Sequence, residues 1–276
     1  SALLLSVVIP PAQPKLLSLV GLLLSRLAPS PAGAPLSLVP AGSGAGGPRR
    51  GQPPLPALEA EGLVKRLEGR TVLAGFDLRL WPGETVVLMG PSGCGKSTAL
   101  RCLAGLATYR GEVRLAGRRL DRSPASRARI GFLPQAPAFP AEATVGEVLG
   151  LFARLRGAEP DGGLPRGFLP PADERIGALS EGQRHRVGLA VALLGDPDLL
   201  LLDEPLANLD EEGRRTVRDV LRARCDRGAT AIVSSPSPTE LEEVADVLVR
   251  MDGGRVVGRE AFPADDPDPD ALGVPR

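Results

Sequence analysis

Residues 85 to 106 read TVVLMGPSGCGKSTALRCLAGL, a short apolar run that breaks into a glycine-rich turn and then into a helix-forming stretch. Gly90 to Ser97 match G-x-x-x-x-G-K-S. The spacing carries a mechanism, because small residues let successive backbone N–H groups converge on phosphate oxygens while the lysine adds a mobile positive charge. The helix that follows directs its positive dipole end at the same anion, and Ser97 stands where a hydroxyl can hold Mg²⁺. In a chain with 34 glycines the match could arise by chance, but independent placement gives it roughly four times in a thousand such sequences. The stretch therefore reads as strand, phosphate loop and helix, with Gly90, Pro91, Ser92, Gly93, Cys94, Gly95, Lys96, Ser97 and Thr98 around a bound phosphate.

Lysine usage supports that reading. Of the 33 basic residues only Lys15, Lys65 and Lys96 are lysine, and the rest are arginine. A compact ammonium fits between phosphates where a planar guanidinium does not, which is a local reason for Lys96 to stay lysine.

At 276 residues the chain suffices for one large α/β domain or two small ones. Its formal net charge is zero and aromatics make up 3% of it, so neither a cationic face nor a base-stacking surface points to nucleic acid. Cys94, Cys102 and Cys225 are too few and too scattered for a disulfide frame or a zinc site, which suits a reducing compartment. Cys94 reads as a small loop residue ahead of a redox switch.

Outward from the phosphate loop the chain changes character twice. Residues 1–56 are rich in Leu, Pro, Ala, Gly and Ser and read as an appendage. Its greasiest part, Leu16 to Ala28, is interrupted by serines, Gly21 and Arg26 and is shorter than the roughly twenty residues of a spanning helix. Gly42 to Pro56 read as a disordered linker. The chain opens on Ser1 and not Met, which leaves a fragment, a processed product or further upstream residues all open. Beyond the 57–260 domain, residues 261–276 are an acidic, Pro-rich tail.

Within the domain, Leu58 to Val64 and Val72 to Leu80 alternate around a Glu68-Gly69 turn, as antiparallel strands expected to flank the phosphate-loop strand. Glu112 to Leu115 is a second β element that turns at Gly117, and Ile130 to Leu133 a short buried strand. Val145 to Leu155 has helical spacing and breaks at Gly157, after which Pro and Gly are dense enough to predict loop. Ser180-Glu181-Gly182-Gln183 has the form of a capping box opening a helix to about Leu194. Leu199 to Leu202 followed by Asp203-Glu204 reads as a parallel strand buried on both faces, with carboxylates at the end where open α/β sheets place ligands. Glu211 to Arg227 is an amphipathic helix, Thr230 to Val233 a buried strand, Pro238 to Val247 a short helix, and Val247 to Val257 a hairpin turning at Gly253-Gly254. Together with the phosphate loop, Asp203 is placed to bind Mg²⁺ through water and Glu204 to polarise an attacking water.

The motifs stand in the order of one family. GPSGCGKST (Gly90 to Thr98), FLPQ (to Gln135), LSEGQ (Leu179 to Gln183), LLLLDEP (Leu199 to Pro205) and ANLD (Ala207 to Asp210) make residues 57 to 260 resemble the nucleotide-binding domain of an ATP-binding cassette (ABC) ATPase, LSEGQ being the discriminating motif. The resemblance implies a phosphate-loop NTPase core with a mostly parallel sheet, an antiparallel β subdomain and a helical subdomain, the last shortened here between Gly157 and Ala178. It implies ATP and Mg²⁺ as ligands, with Glu204 and Gln135 catalytic, Ser97, Gln135 and Asp203 at the metal, and Ser180, Gly182, Gln183 and Asp210 meeting nucleotide across a head-to-tail pair of cassettes. The pair is a homodimer or a heterodimer. One cassette without membrane spans implies a transmembrane permease on a separate chain, and a cytoplasmic place on the inner face of the membrane.

Departures from the family pattern bear on rate. Aligning on Glu242 to Asp246 puts Pro236 where the family has its switch histidine, and Leu67 where an aromatic commonly stacks on adenine. His185, the one histidine, is expected on the exposed side of its helix. Two other readings stay open: a degenerate cassette that binds ATP and regulates, and a soluble ABC protein acting on ribosomes or DNA.

Overall fold

The computed structural model describes residues 55–262 apart from 122 and 161. The appendage, most of the linker and the tail from Ala264 lie outside the described residues.

Two sheets are built from two kinds of strand. β1 (Leu58–Leu67) and β2 (Arg70–Leu80) pair antiparallel across Glu68 and Gly69, both at positive φ, and β4 (Arg110–Leu115) with the short β5 (Arg118–Arg119) completes a four-stranded antiparallel sheet in the order β2-β1-β4-β5. The phosphate-loop strand β3 (Thr85–Met89) belongs to the other sheet, with β6 (Ile130–Leu133), β7 (Leu199–Asp203), β8 (Thr230–Ser234), β9 (Val247–Asp252) and β10 (Arg255–Ala261) in the order β10-β9-β3-β8-β7-β6. Here β3 pairs in parallel with β8 and β9, β8 with β7, and β7 with β6; only β10 runs antiparallel.

The expectation that β1 and β2 flank β3 is thereby corrected. A strand such as LLLLD, apolar at every position, needs cover on both faces, and parallel neighbours joined by crossovers supply it. The alternating β1 and β2 have one apolar face to bury and form a layer of their own.

Side-chain alternation divides the core along the six-stranded sheet. Val87, Leu133, Leu200, Leu202, Val233 and Leu248 point to one face. They pack there against α3 (Val145–Arg156), α4 (Glu181–Leu193) and α5 (Glu211–Cys225). Val86, Leu88, Leu199, Leu201, Ile232 and Val249 point to the other, against α1 (Lys96–Leu103) and the antiparallel sheet through Leu58, Leu73 and Phe76. A short helix α2 (Pro124–Ala128) precedes β6. Truncating a fully buried leucine of this sheet, such as Leu201, to alanine costs about 2–5 kcal/mol.

Helix ends follow the sequence closely. Thr144 and Glu147 make a reciprocal capping box at the start of α3, and Gly157 closes it at φ 63. Between Gly157 and Ile176 the described residues contain no helix or strand, so the helical subdomain is shortened as expected. The expected helix from Pro238 to Val247 is instead one 3-10 turn, Pro238–Leu241, followed by further turns. Asp246 diverts the chain: its N–H donates to Thr85 O at 2.9 Å and its carboxylate accepts Thr85 N–H at 2.7 Å, aligning β9 for pairing with β3.

Candidate active site

The parallel strands deliver the chemistry to one edge. The carboxyl ends of β3, β6, β7 and β8 carry Gly90 to Gly95, Pro134-Gln135, Asp203-Glu204 and Ser234 to Pro236 respectively. Register makes the adjacency explicit, since Ser234 pairs with both Leu88 and Asp203.

The loop after β3 is held by its own backbone and by two hairpins. Cys94 N–H donates to Pro91 O at 3.1 Å, and Gly254 N–H, from the β9–β10 turn, donates to Cys94 O at 3.1 Å. Ala74 N–H of β2 donates to Gly254 O at 3.0 Å, so the antiparallel sheet and the β9–β10 hairpin brace the loop together. Gly90, at φ 152, lies so near Met251 O and the Cys94 thiol that any Cβ would collide with both. Cys94 is buried beneath the loop as packing.

The helix α1 begins at Gly95 with no side-chain cap, whereas Thr144, Ser180 and Asp210 cap α3, α4 and α5. Its first-turn N–H groups, having no intrahelical partners, open onto the loop. Lys96 arches back over the same space, with Nζ donating to Gly90 O at 2.6 Å and Pro91 O at 3.3 Å. An ammonium has three protons. Two are so used, and the third remains to meet an anion.

Asp203 is 3% exposed and its Oδ1 accepts a 2.6 Å hydrogen bond from Ser234 Oγ. The same hydroxyl accepts the Glu204 N–H at 3.0 Å, and Ser234 O accepts it at 3.1 Å. Glu204 stands at φ 53, in the left-handed region that a residue with a Cβ enters at a cost of about 1–3 kcal/mol. Beside it a cavity of about 120 Å³, room for several waters, is lined by Glu204, Arg214, Ser234, Ser235, Pro236 and Glu240. Gln135 is exposed on the loop after β6.

The LSEGQ residues stand apart from this cluster. Ser180 Oγ accepts Gln183 N–H at 3.2 Å and Gln183 Oε1 accepts Ser180 N–H at 2.9 Å, the reciprocal capping box anticipated from the sequence. That arrangement leaves the serine hydroxyl proton and the glutamine amide group to face outward. A Cβ on Gly182 would strike Asn208 O, so glycine is what allows α4 to lie against the Ala207–Asp210 segment. Asp210 Oδ1 accepts both Gly213 N–H at 3.0 Å and Arg186 Nη2–H at 2.7 Å, which fastens α5 to α4. Among the described residues no hydrogen bond or ion pair joins the start of α4 to the Gly90–Thr98 loop.

His185 corrects an expectation. It is buried, 1% exposed, with Nε2 3.1 Å from Pro205 O, and burial pulls its pKa below the ordinary histidine value. The expected exposed position fails because the Glu204–Asn208 turn lies over the ring, with the Pro205 carbonyl at its Nε2. Sequence reasoning also missed Ser234; the signal was a serine directly after a buried apolar strand, legible only once β8 is known to lie beside β7.

Leu67, which the sequence aligns with the family's adenine-stacking aromatic, is 47% exposed at the end of β1.

Comparisons with known proteins agree with this geometry. A family model described as ABC transporter matches residues 73–207. Nod factor export ATP-binding protein I of Paraburkholderia xenovorans is 34% identical over 220 residues, covering 75% of this chain and 72% of that protein. The sn-glycerol-3-phosphate import ATP-binding protein UgpC 1 of Rhizobium johnstonii is 37% identical over 204 residues, 70% of this chain and 55% of that protein. A solved structure of the ATP-binding subunit of an ABC transporter superposes with a TM-score of 0.67 at 25% identity, covering 78% of this chain and 97% of that one.

Proposed function

As a member of the ABC transporter family, the chain is an ATP-binding and ATP-hydrolysing subunit, and we propose that it drives a membrane transporter by closing over ATP against a second cassette. The observation that carries the reading is the convergence of the Lys96 loop, Asp203 and Glu204 on one edge of the sheet, with the capped LSEGQ helix start outside that cluster.

The residues divide the work by their chemistry. The uncapped start of α1, the loop N–H groups and the free proton of Lys96 bind the phosphates. Glu204, beside a cavity with room for several waters, accepts a proton from the water that attacks the γ-phosphate, and its own proton later passes to solvent. Ser180, Gly182 and Gln183 cannot serve their own loop while α4 lies on Asn208; in a head-to-tail pair they cap the nucleotide of the second cassette, with Asp210 at the same junction.

Mg²⁺ suits the donors present. Ser97, Asp203 and Gln135 offer hard oxygens, and among the described residues no three His, Cys, Asp or Glu cluster as a metal cage. Such a set fits an ion held mainly by phosphate oxygens and water. When bound, the ion supplies charge neutralisation at the phosphates.

Among the described residues no helix is long and apolar enough to cross a membrane; relatives named as export and import ATP-binding proteins support a pore formed by a separate chain. An apolar groove supports a docking place for it. Leu106, Phe132, Phe139 and Phe152 line this groove, with Phe139 edge-on to Phe152 at 6.4 Å. Pro134 and Pro137 line it too and bracket Gln135, so an apolar segment of the permease seated there bears directly on the loop that carries Gln135. Relatives named for transporter subunits weigh against a soluble ribosome or DNA factor.

The test is phosphate release and light scattering on the wild-type protein and Glu204→Gln. Wild type releases phosphate; the variant stalls and accumulates a dimer only when ATP is present. A variant that stays monomeric with ATP would rule out the homodimeric form of the closure and leave a heterologous cassette.

A further inference from the structure

His185 lies outside the phosphate loop, yet the hydrogen bond at its Nε2 lands on the turn that holds Glu204. The turn is built tightly. Glu204 occupies the left-handed region, Pro205 fixes the next φ, and Ala207 N–H closes back on Glu204 O at 3.1 Å. On the incoming side Ser234 holds the Glu204 N–H with both its carbonyl and its hydroxyl. On the outgoing side the Pro205 carbonyl meets His185 Nε2 at 3.1 Å. A carbonyl only accepts, so the ring carries its proton on Nε2.

The position of His185 gives this bond a second consequence. It lies on α4 five residues beyond Ser180, and Gly182 presses the same helix against Asn208 O at the far end of the turn. The turn from Glu204 to Asn208 is therefore gripped at two points by the helix whose start carries LSEGQ. Rotation or translation of α4 carries Pro205 with it, and Glu204 is the adjoining residue.

We propose that His185 is a positioning residue for ATP hydrolysis: its Nε2–H, bonded to the Pro205 carbonyl, holds Glu204 in its left-handed conformation and ties that carboxylate to the helix that faces the second cassette. The inference rests on Glu204 being the group that polarises water. It makes events at the start of α4, where the partner's nucleotide would bind, felt at this subunit's own carboxylate.

The test exploits side-chain reach. Glutamine places an amide nitrogen at the same number of bonds from the backbone as Nε2, and asparagine only as far as Nδ1. His185→Gln should keep kcat within threefold of wild type. His185→Asn should lower kcat tenfold or more with KM for ATP within twofold, and His185→Met should match the asparagine variant, covering the case in which a buried unpaired amide prevents folding. In single turnover on a Glu204→Gln background, the His185→Asn or His185→Met loss should vanish, because the positioned group is gone. The proposal is overturned if a folded Asn or Met variant turns over like wild type, if KM rises as kcat falls, if Gln fails to rescue, or if the loss persists with Glu204→Gln. Wild-type turnover by Glu204→Gln itself would instead sink the reading of Glu204.

Discussion

Ser234 Oγ donates a 2.6 Å hydrogen bond to Asp203 Oδ1, joining the ends of two parallel strands through a serine that is fully buried and a carboxylate that is nearly so. The register pairing Asp203 with Ser234 makes this contact obligatory once β7 and β8 align. It engages Oδ1 and leaves Oδ2 as the carboxylate oxygen that the proposed function offers to a hydrated cation. Ser234→Ala removes a bond to a charged group and leaves Oδ1 without its donor, a loss of about 1–3 kcal/mol. Thermal melting should show that destabilisation, and kcat should fall at least tenfold because Glu204 N–H loses one of its two acceptors as well. A melting temperature and turnover both equal to wild type would show the contact to be incidental.

Lys96→Ala should abolish tight ATP binding. The ammonium now bridges two carbonyls of its own loop with one proton free, and bound phosphate gives that proton a charged acceptor. Fluorescent-nucleotide titration should register a loss of about a hundredfold or more, on the order of 3 kcal/mol. Unchanged affinity would remove the loop from the mechanism.

Pro236→His should raise turnover. Proline offers no imidazole and no N–H, while the cavity it shares with Glu204 has space for a donor. Positioned donors toward developing charge are worth about a hundredfold in rate. A gain of tenfold or more in kcat with ATP affinity nearly unchanged is expected from steady-state phosphate release. Wild-type turnover already at the level of the variant would mean that another group supplies the donor.

Acid should weaken the fold through His185. Burial sets its folded pKa below the unfolded value, so below about pH 6.5 the unfolded chain binds a proton that the folded one refuses. Stability contributed by the neutral ring is therefore present above that pH and is lost as pH falls towards the folded pKa. The slope cannot exceed one proton, about 1.4 kcal/mol per pH unit. Urea unfolding between pH 7.5 and 5 should show a shallower decline in His185→Gln, and identical slopes would contradict the assignment.

Much of the site was legible in sequence because its motifs are local. The loop from Gly90 to Ser97, the Ser180–Gln183 capping box and the doubly buried strand ending in Asp203-Glu204 each state their conformation within a few residues, through glycine φ freedom, side-chain caps and unbroken apolarity. The same local chemistry places Gly157 at the end of its helix.

What only the tertiary structure decided is which of these segments meet. Strand order is set by which faces must be covered, a property of the whole sheet, so the separation of β1 and β2 from β3 and the pairing of Asp203 with Ser234 were out of reach of any window of residues. His185 is the clearest case. Its neighbours on α4 are arginines, and helical spacing alone reads that stretch as solvated. The ring is buried because a turn some twenty residues away, closed by Pro205 and held by Ser234 from a third strand, folds over it and presents a carbonyl that needs a donor once water is excluded.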